Sequence, residues 1–507
     1  MKKQVLLFLI LILGAIFRLY QLDSLPGEMW GDVAEGFEFT QFIFDGKWPW
    51  YFVLGNGPLF FYFAAVPSLL LGLSFFSLKL SSVLIGLALI FVTYVFAKEL
   101  AGTKVALLTS LFIAVSRWPV TLSRLGMMII LVPFTVIVVF YLLLKAFQTN
   151  RLRYWIGSGL TLGIGLYNYP VFAMVMPITI FVVGICFLLV QKSKSTRYVK
   201  GILLACAAFF LIAFSFIQMI WVEKDVWFAP GSYFASKLVT ADGTLLPDWN
   251  ERLIDNIKRS AGMFHIQGHS SFRVNVSNVP HLDSISGVFF LIGLVWCVVR
   301  MKKYRYLVFI PLLLLQLPQI LVLNVPGDVP NAGRSSGVIP FTYFLVAMGL
   351  MFYYKVLRRF HIPLFFSIPL ILIIFAHVVY VNTFLYFVTY AYGLPNQNTA
   401  YSKILARHID ALPQNVSIYL GACCWGDWGQ PDGKPIYFSL SNRKRNVVNQ
   451  RLVSSCEDID ARPAEVILSP KEKEKAALFD DCGKGTVQTD SENGQEIYSY
   501  IEIPKTF

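Results

Sequence analysis

Eleven apolar stretches of membrane-spanning length, separated by short charged turns, dictate the solvent this chain folds in. A run of about 20 apolar residues closes its own backbone hydrogen bonds as a helix and crosses a hydrocarbon core ~30 Å thick. Such runs lie near 4–22, 79–97, 104–121, 125–147, 152–169, 171–190, 200–222, 284–300, 304–324, 336–354 and 362–382. Composition agrees: 56% of the residues are hydrophobic and 14% charged, where a soluble domain carries about 25% charged. The net charge of +13 would suggest nucleic acid in a soluble protein. Here the basic residues form clusters between apolar runs, which is the positive-inside pattern, and this argues against a nucleic-acid partner.

Those clusters assign sides. Lys2/Lys3, Lys145/Arg151/Arg153, Lys192/Lys194/Arg197/Lys200, Arg300/Lys302/Lys303/Arg305 and Lys355/Arg358/Arg359 all flank apolar segments. Placing them in the cytoplasm puts 23–57, the Tyr167–Pro170 turn, 223–283, 325–335 and everything after about 383 outside. The first outer loop is acidic, with Asp23, Glu28, Asp32, Glu35, Glu38 and Asp45 against Lys47 alone. Parity then requires that 58–75 does not span. It is short, begins at Pro58 and contains Pro67, and reads as an interfacial helix. The first run lacks a small-x-small cleavage site and reads as a retained anchor. The expected topology is eleven crossings, with the N-terminus cytoplasmic and the C-terminal domain extracytoplasmic.

From about 395 charge and turn residues rise. Alternating runs at 416–420, 435–440, 465–468 and 496–503 predict strands, and 398–411 and 469–479 predict helices. The fold class is therefore a polytopic α-helical membrane protein, over 1–385, with a small α+β extracytoplasmic domain over 386–507. Cys186, Cys206 and Cys297 lie in apolar runs as packing residues. Cys423, Cys424, Cys456 and Cys482 form an even set that permits disulfides in an exported domain, with the pairing open.

Chemistry concentrates on the outer side. Asp32 and Glu35 in Trp30-Gly31-Asp32-Val33-Ala34-Glu35-Gly36 have Trp30, Phe37, Phe39 and Phe42 as aromatic neighbours. Partial desolvation there would make a carboxylate a better base; the alternative is a solvated acidic loop. Arg18, Arg117, Arg124 and Arg334 lie at helix ends on the same side. A guanidinium fork suits phosphate oxygens; snorkelling to lipid headgroups is the alternative. The long outer loop holds His265, His269, Arg273 and His281. Two histidines four apart would suit a metal on a helix, but Gly268 and the lack of a third ligand favour polar lining of a site mouth. The chain has no P-loop, GxGxxG after a strand, HExxH or GxSxG, so no cofactor is expected, with a divalent metal left open. The Cys423-Cys424-Trp425-Gly426-Asp427-Trp428 cluster reads either as an aromatic core or as a surface for sugar stacking.

In this order, the residues resemble a known superfamily. Arg18-Leu19-Tyr20-x-Leu22-Asp23-x-x-Pro26, Asp32-Val33-Ala34 and Gly57-Pro58-Leu59-Phe60-Phe61-Tyr62 resemble the opening of GT-C fold glycosyltransferases, which include protein O-mannosyltransferases and aminoarabinose lipid A transferases. Ser123-Arg124-Leu125-Gly126, Gly163 to Tyr169, Gly268 to Asp283 and Pro330 to Ser335 continue the match across roughly 10–385. The resemblance implies transfer of a sugar from a polyprenyl-phosphate donor to a lipid, glycan or protein acceptor at the outer membrane face. It implies an acidic catalytic residue at Asp32, with Glu35 as acidic partner, and donor-phosphate contacts at Arg124 and Arg334. Arg117, Tyr167, Asn168, Tyr169, His265, His269 and Arg273 are expected to line the substrate. The chain departs from the pattern at Ile129, where many relatives carry Asp, and at Gly57, where many carry His or Glu. A transporter or flippase for lipid-linked saccharides, or a glycan polymerase or ligase, is the competing reading; a transporter would show repeats and midplane polar residues.

Overall fold

A computed structural model of the chain describes residues 2–505 apart from 29–30, 53–55, 192–195, 225–243, 245, 302–303, 326, 422–433, 442–447, 480–481, 483–487 and 493. Each of the eleven apolar stretches is helical over most of its length. Phe75–Ala101, Met128–Thr149, Pro170–Val190, Thr196–Val222, Ser336–Arg359 and Leu364–Gly393 are long and apolar enough to cross a bilayer. The others are shorter or broken. Lys2–Leu19 has 18 residues and Leu152–Gly165 has 14. Thr103–Val115 stops at Ser116 and resumes as Arg117–Leu122. Tyr306–Leu314 contains Pro311 and is followed by the single turn Leu317–Ile320. The stretch 58–75 yields Leu59–Leu71, about 20 Å long and shorter than a hydrocarbon core.

Packing inside the bundle follows membrane rules, in which small residues let backbones approach. Ser284–Arg300 meets Ile339–Arg359 at Gly293 and Gly349. A Cβ on either glycine would lie 1.9–2.0 Å from a carbonyl oxygen of the other helix.

Several segments differ from the sequence reading: the strands Val448–Val453 and Gln488–Glu492 and the helix Trp249–Gly262 have no counterpart in it, and two further differences bear on the site. The acidic segment 23–57 is not simply a loop, because it folds into the helix Gly31–Phe44, which buries Val33, Ala34, Phe37 and Phe39. Phe39 stacks on Phe52 at 4.2 Å and meets Phe61 edge-on at 5.2 Å. Residues 435–440, expected as a strand, form the helix Lys434–Ser439. Pro435 suits a first helical turn, and the alternating apolar residues serve two neighbours. Ile436 and Leu440 bury in the C-terminal domain, while Phe438 turns to Phe37.

The C-terminal sheet has strands β1 (Ser417–Gly421), β2 (Val448–Val453), β3 (Ala464–Leu468), β4 (Gln488–Glu492) and β5 (Gln495–Ile503), in the order β2-β1-β3-β5-β4. β1 runs parallel to β2 and β3, and β5 runs antiparallel to β3 and β4. Helix Tyr401–Ala411 covers one face through Leu405 and Ile409. Ala476 and Phe479 cover the other. A disulfide joins Cys456 and Cys482; Cys423, Cys424 and the Trp425–Trp428 cluster lie outside the described residues.

Candidate active site

A cavity of about 570 Å³ opens where the Gly31–Phe44 helix, the turn 127–129, Tyr169 and the loops 269–274 and 325–334 meet. Asp32, Glu35, Asn56, Tyr169, His269, Arg273, Asp328, Asn331 and Arg334 line its polar side, and Phe39, Met127, Met128 and Ile129 its apolar side. Ile129 thus faces the cavity itself.

Asp32 stands in the first turn of its helix, where the macrodipole favours a negative charge. Its Oδ2 lies 3.5 Å from Arg273 Nη1. The expected aromatic desolvation is absent: the Asp32 side chain is 61% exposed. The nearby rings are engaged elsewhere, Phe37 on Phe438 and Phe39 on Phe52, and Trp30 lies outside the described residues. Glu35 lines the same cavity three residues further along the helix. Arg273 is held from behind, its carbonyl accepting a 3.0 Å hydrogen bond from Tyr390 Oη.

Opposite, Arg334 forms an ion pair with Asp328. Asn331 Oδ1 accepts the backbone N–H groups of Gly333 at 3.0 Å and Arg334 at 2.9 Å, a side-chain-mimicked turn that fixes the loop. Asn331 Nδ2 donates to Asp328 Oδ1 at 2.9 Å. His269 Nε2 sits 3.8 Å from the same oxygen, and its Nδ1 faces the Ala332 N–H at 3.5 Å. Burial pushes the His269 pKa down to about 4; Asp328 opposes that shift and Arg334 reinforces it. His269 is therefore neutral at pH 7.

The other expected residues do not reach the cavity lining. Arg124 is fully buried. Its Nε donates to Tyr386 Oη at 2.9 Å, and its terminal nitrogens donate to the carbonyls of Phe17, Gln21 and Leu25 at 3.0–3.1 Å. A guanidinium so committed holds helix ends together, and it does not line this cavity. Arg117 likewise ties Asn275 and the Pro280 carbonyl. His265 Nε2 meets the Gly287 carbonyl at 3.0 Å. Tyr167 Oη donates to the Ile212 carbonyl at 3.0 Å, and Asn168 Nδ2 to Thr135 Oγ1 at 3.2 Å. The backbone carbonyls of Tyr167 and Asn168 also receive the N–H groups of Leu59 and Gly57. A Cβ on Gly57 would sit 2.1 Å from the Tyr167 oxygen, so no side chain has room at this position.

Asp328 was missed from sequence. Its signal was isolation: it is the only acidic residue between Asp283 and Asp410. Among the described residues no three His, Cys, Asp or Glu groups converge to hold a metal.

Residues 55–221 match the family model described as dolichyl-phosphate-mannose-protein mannosyltransferase. No curated protein matches the chain in sequence. Among solved structures, the chain is similar to ArnT from Cupriavidus metallidurans bound to undecaprenyl phosphate, with a TM-score of 0.56 and 13% identity over 99% of this chain and 98% of that one. The apo state of the same protein gives 0.58 and 12% over 95% of each chain. The archaeal oligosaccharyltransferase AglB from Archaeoglobus fulgidus, in complex with an inhibitory peptide and a dolichol-phosphate, gives 0.52 and 12% over 98% of this chain and 74% of that one. At such identities the likeness is one of fold, and it runs the length of the chain. This is a polytopic membrane protein with the GT-C glycosyltransferase fold and a small C-terminal sheet domain.

Proposed function

We propose that the chain is a glycosyltransferase that moves a sugar from a polyprenyl-phosphate donor to an acceptor hydroxyl, by one inverting displacement in the Asp32–Arg273–Arg334 cavity. The observation that carries this reading is the meeting of an accessible carboxylate and two guanidinium groups in one cavity. The mannosyltransferase family match over 55–221 and the lipid-phosphate-bound fold relatives support the donor class.

The acceptor oxygen attacks the anomeric carbon opposite the phosphate, and the sugar–phosphate C–O bond breaks with its electron pair going to the phosphate. Asp32 orients the acceptor hydroxyl and receives its proton. Arg334, and Arg273 in the place expected for Arg124, offset the charge growing on the leaving phosphate, an electrostatic stabilisation specific to the transition state. Asp328 and neutral His269 fix the Arg334 fork. The apolar wall at Met127–Ile129 suits the face of a sugar with few polar groups pointing that way. The basic clusters between apolar runs support a reaction at the extracytoplasmic face, with the N-terminus cytoplasmic.

The test is transfer from labelled polyprenyl-phosphate sugars in membranes, comparing the native chain with Asp32→Asn. Unaltered transfer by that variant would sink the assignment. No transfer from any monosaccharide donor, with lipid-linked saccharide scrambling in proteoliposomes, would favour transport.

A further inference from the structure

A second, apolar cleft of about 440 Å³ shares no lining residue with the candidate site and is walled by helices Leu131–Thr149, Leu152–Gly165, Pro170–Gln191 and Val199–Val222. Leu143, Phe147, Trp155, Phe181, Gly184 and Cys206 line it. Its long wall runs from Pro177 to Leu188, about 16 Å along a helix, or half of a ~30 Å hydrocarbon core. That is the depth of one leaflet. Apolar space of this kind stays dry, so hydrocarbon is its natural filling.

The two ends of the cleft differ. Towards the candidate site, next to the lining residue Phe209, stands an aromatic cluster: Tyr167 meets Phe216 at 5.9 Å, Tyr51 meets Phe216 at 5.3 Å, and the Tyr51 and Tyr167 hydroxyls donate to the Leu166 and Ile212 carbonyls. The other end reaches the turns 149–152 and 196–200. There Trp155 Nε1 donates to Asn150 Oδ1, and Asn150 Nδ2 to the Arg197 carbonyl, both at 3.1 Å. Arg151, Arg153, Arg197 and Lys200 are exposed around this mouth. No aspartate or glutamate occurs between Glu99 and Glu223, and Glu99 is taken by Lys145 at 3.2 Å. The mouth is therefore strongly and locally positive.

We infer that this cleft binds an anionic diacyl phospholipid of the leaflet at the 149–152 end, with one acyl chain between the helices and its phosphate among the basic residues. Length, apolar lining and charge select that occupant over the tail of the proposed donor, whose sugar phosphate belongs at the opposite end. Basic pockets between membrane helices recognise anionic headgroups in this way.

Cys206 gives a direct readout, since it lines the cleft and is exposed. The full chain in neutral detergent is supplied with dioleoyl phosphatidylglycerol, dioleoyl phosphatidylcholine or a polyprenyl phosphate, and maleimide labelling of Cys206 is followed by peptide mass spectrometry. Phosphatidylglycerol should slow labelling roughly five-fold or more beyond phosphatidylcholine, about what one basic side chain contributes at an anionic surface. In Arg151→Gln/Arg153→Gln the two phospholipids should become equal. A Cβ on Gly184 would meet nothing within 4 Å, so Gly184→Phe should fill the cleft and abolish phosphatidylglycerol protection, with the bound-lipid adduct lost in native mass spectrometry. Equal protection by both phospholipids in the native chain, or protection by polyprenyl phosphate alone, overturns the inference. Those two comparisons need no variant and decide the matter even if Gly184→Phe does not fold.

Discussion

Phe438 of the C-terminal domain stacks on Phe37 of the helix that carries Asp32, with ring centroids 4.6 Å apart and planes inclined by 30°. Beside it, Lys434 Nζ lies 3.2 Å from Glu38 Oε2. The domain and the helix carrying Asp32 are thus braced within two helical turns of Asp32 and Glu35. Phe438→Ala should remove an aromatic pair worth ~1 kcal/mol beyond its buried area. It should lower turnover several-fold with little change in donor KM, and Phe438→Tyr should restore it. Steady-state kinetics with labelled donor check this split.

Asp32→Asn should lower turnover by about 10²–10⁴-fold, the usual worth of a positioned base. Glu35→Gln should cost less, on the order of ten-fold, because its neighbour keeps the reacting proton. Single-turnover transfer separates the two variants from any change in donor binding.

Arg334 and Arg124 should part company. Arg334→Gln is expected to reduce kcat/KM by about 10²–10³-fold, as for loss of a transition-state donor, and to lower the melting temperature as well, because Asp328 loses its ion-pair partner. Arg124→Gln instead strips donors from the carbonyls of Phe17, Gln21 and Leu25. It should cost about 3 kcal/mol or more of stability and leave the turnover of the surviving folded enzyme within a few-fold. Thermal denaturation and titrated activity distinguish them.

His269 predicts a pH dependence. Its folded pKa of about 4 lies below the ~6.5 of an unfolded histidine, so the unfolded chain binds more protons between those values. Stability should be fully present above about pH 6.5 and fall towards pH 4, by up to ~3 kcal/mol from this group. Buried His281, whose pKa is also lowered, chiefly by desolvation, acts in the same direction. His269→Gln should flatten part of the slope in melting temperature against pH, and an unchanged slope would contradict the assignment.

The bundle was legible because lipid imposes a simple code: each long apolar run must close its own backbone bonds. Local patterning also located β1, β3, β5 and the helix Tyr401–Ala411. It failed at 435–440, where apolar residues on two helix faces serve different partners and imitate strand alternation. It failed at 31–44, where acidic residues face the cavity while the phenylalanines between them bury. At the site, Asp32, Glu35, Tyr169, His269, Arg273 and Arg334 come to one cavity. Sequence could not separate Arg334 from Arg124, since both are arginines at helix ends. Only the third dimension shows one lining the cavity beside Asp328 and the other saturated by carbonyls.

The bonds between the first outer segment and the C-terminal domain carry a consequence for synthesis. Gly27 N–H donates to Asn398 Oδ1 at 2.7 Å, and Ser402 donates to Glu28 from both its N–H and its hydroxyl. These partners leave the ribosome more than 370 residues apart, about 20–75 seconds at ordinary translation rates. Through that interval the nascent chain holds residues 24–28 and the helix after them without their brace. Maturation of the reaction centre is thereby tied to completion of the polypeptide, and a chain released early would occupy the bilayer without its finished carboxylate-bearing helix.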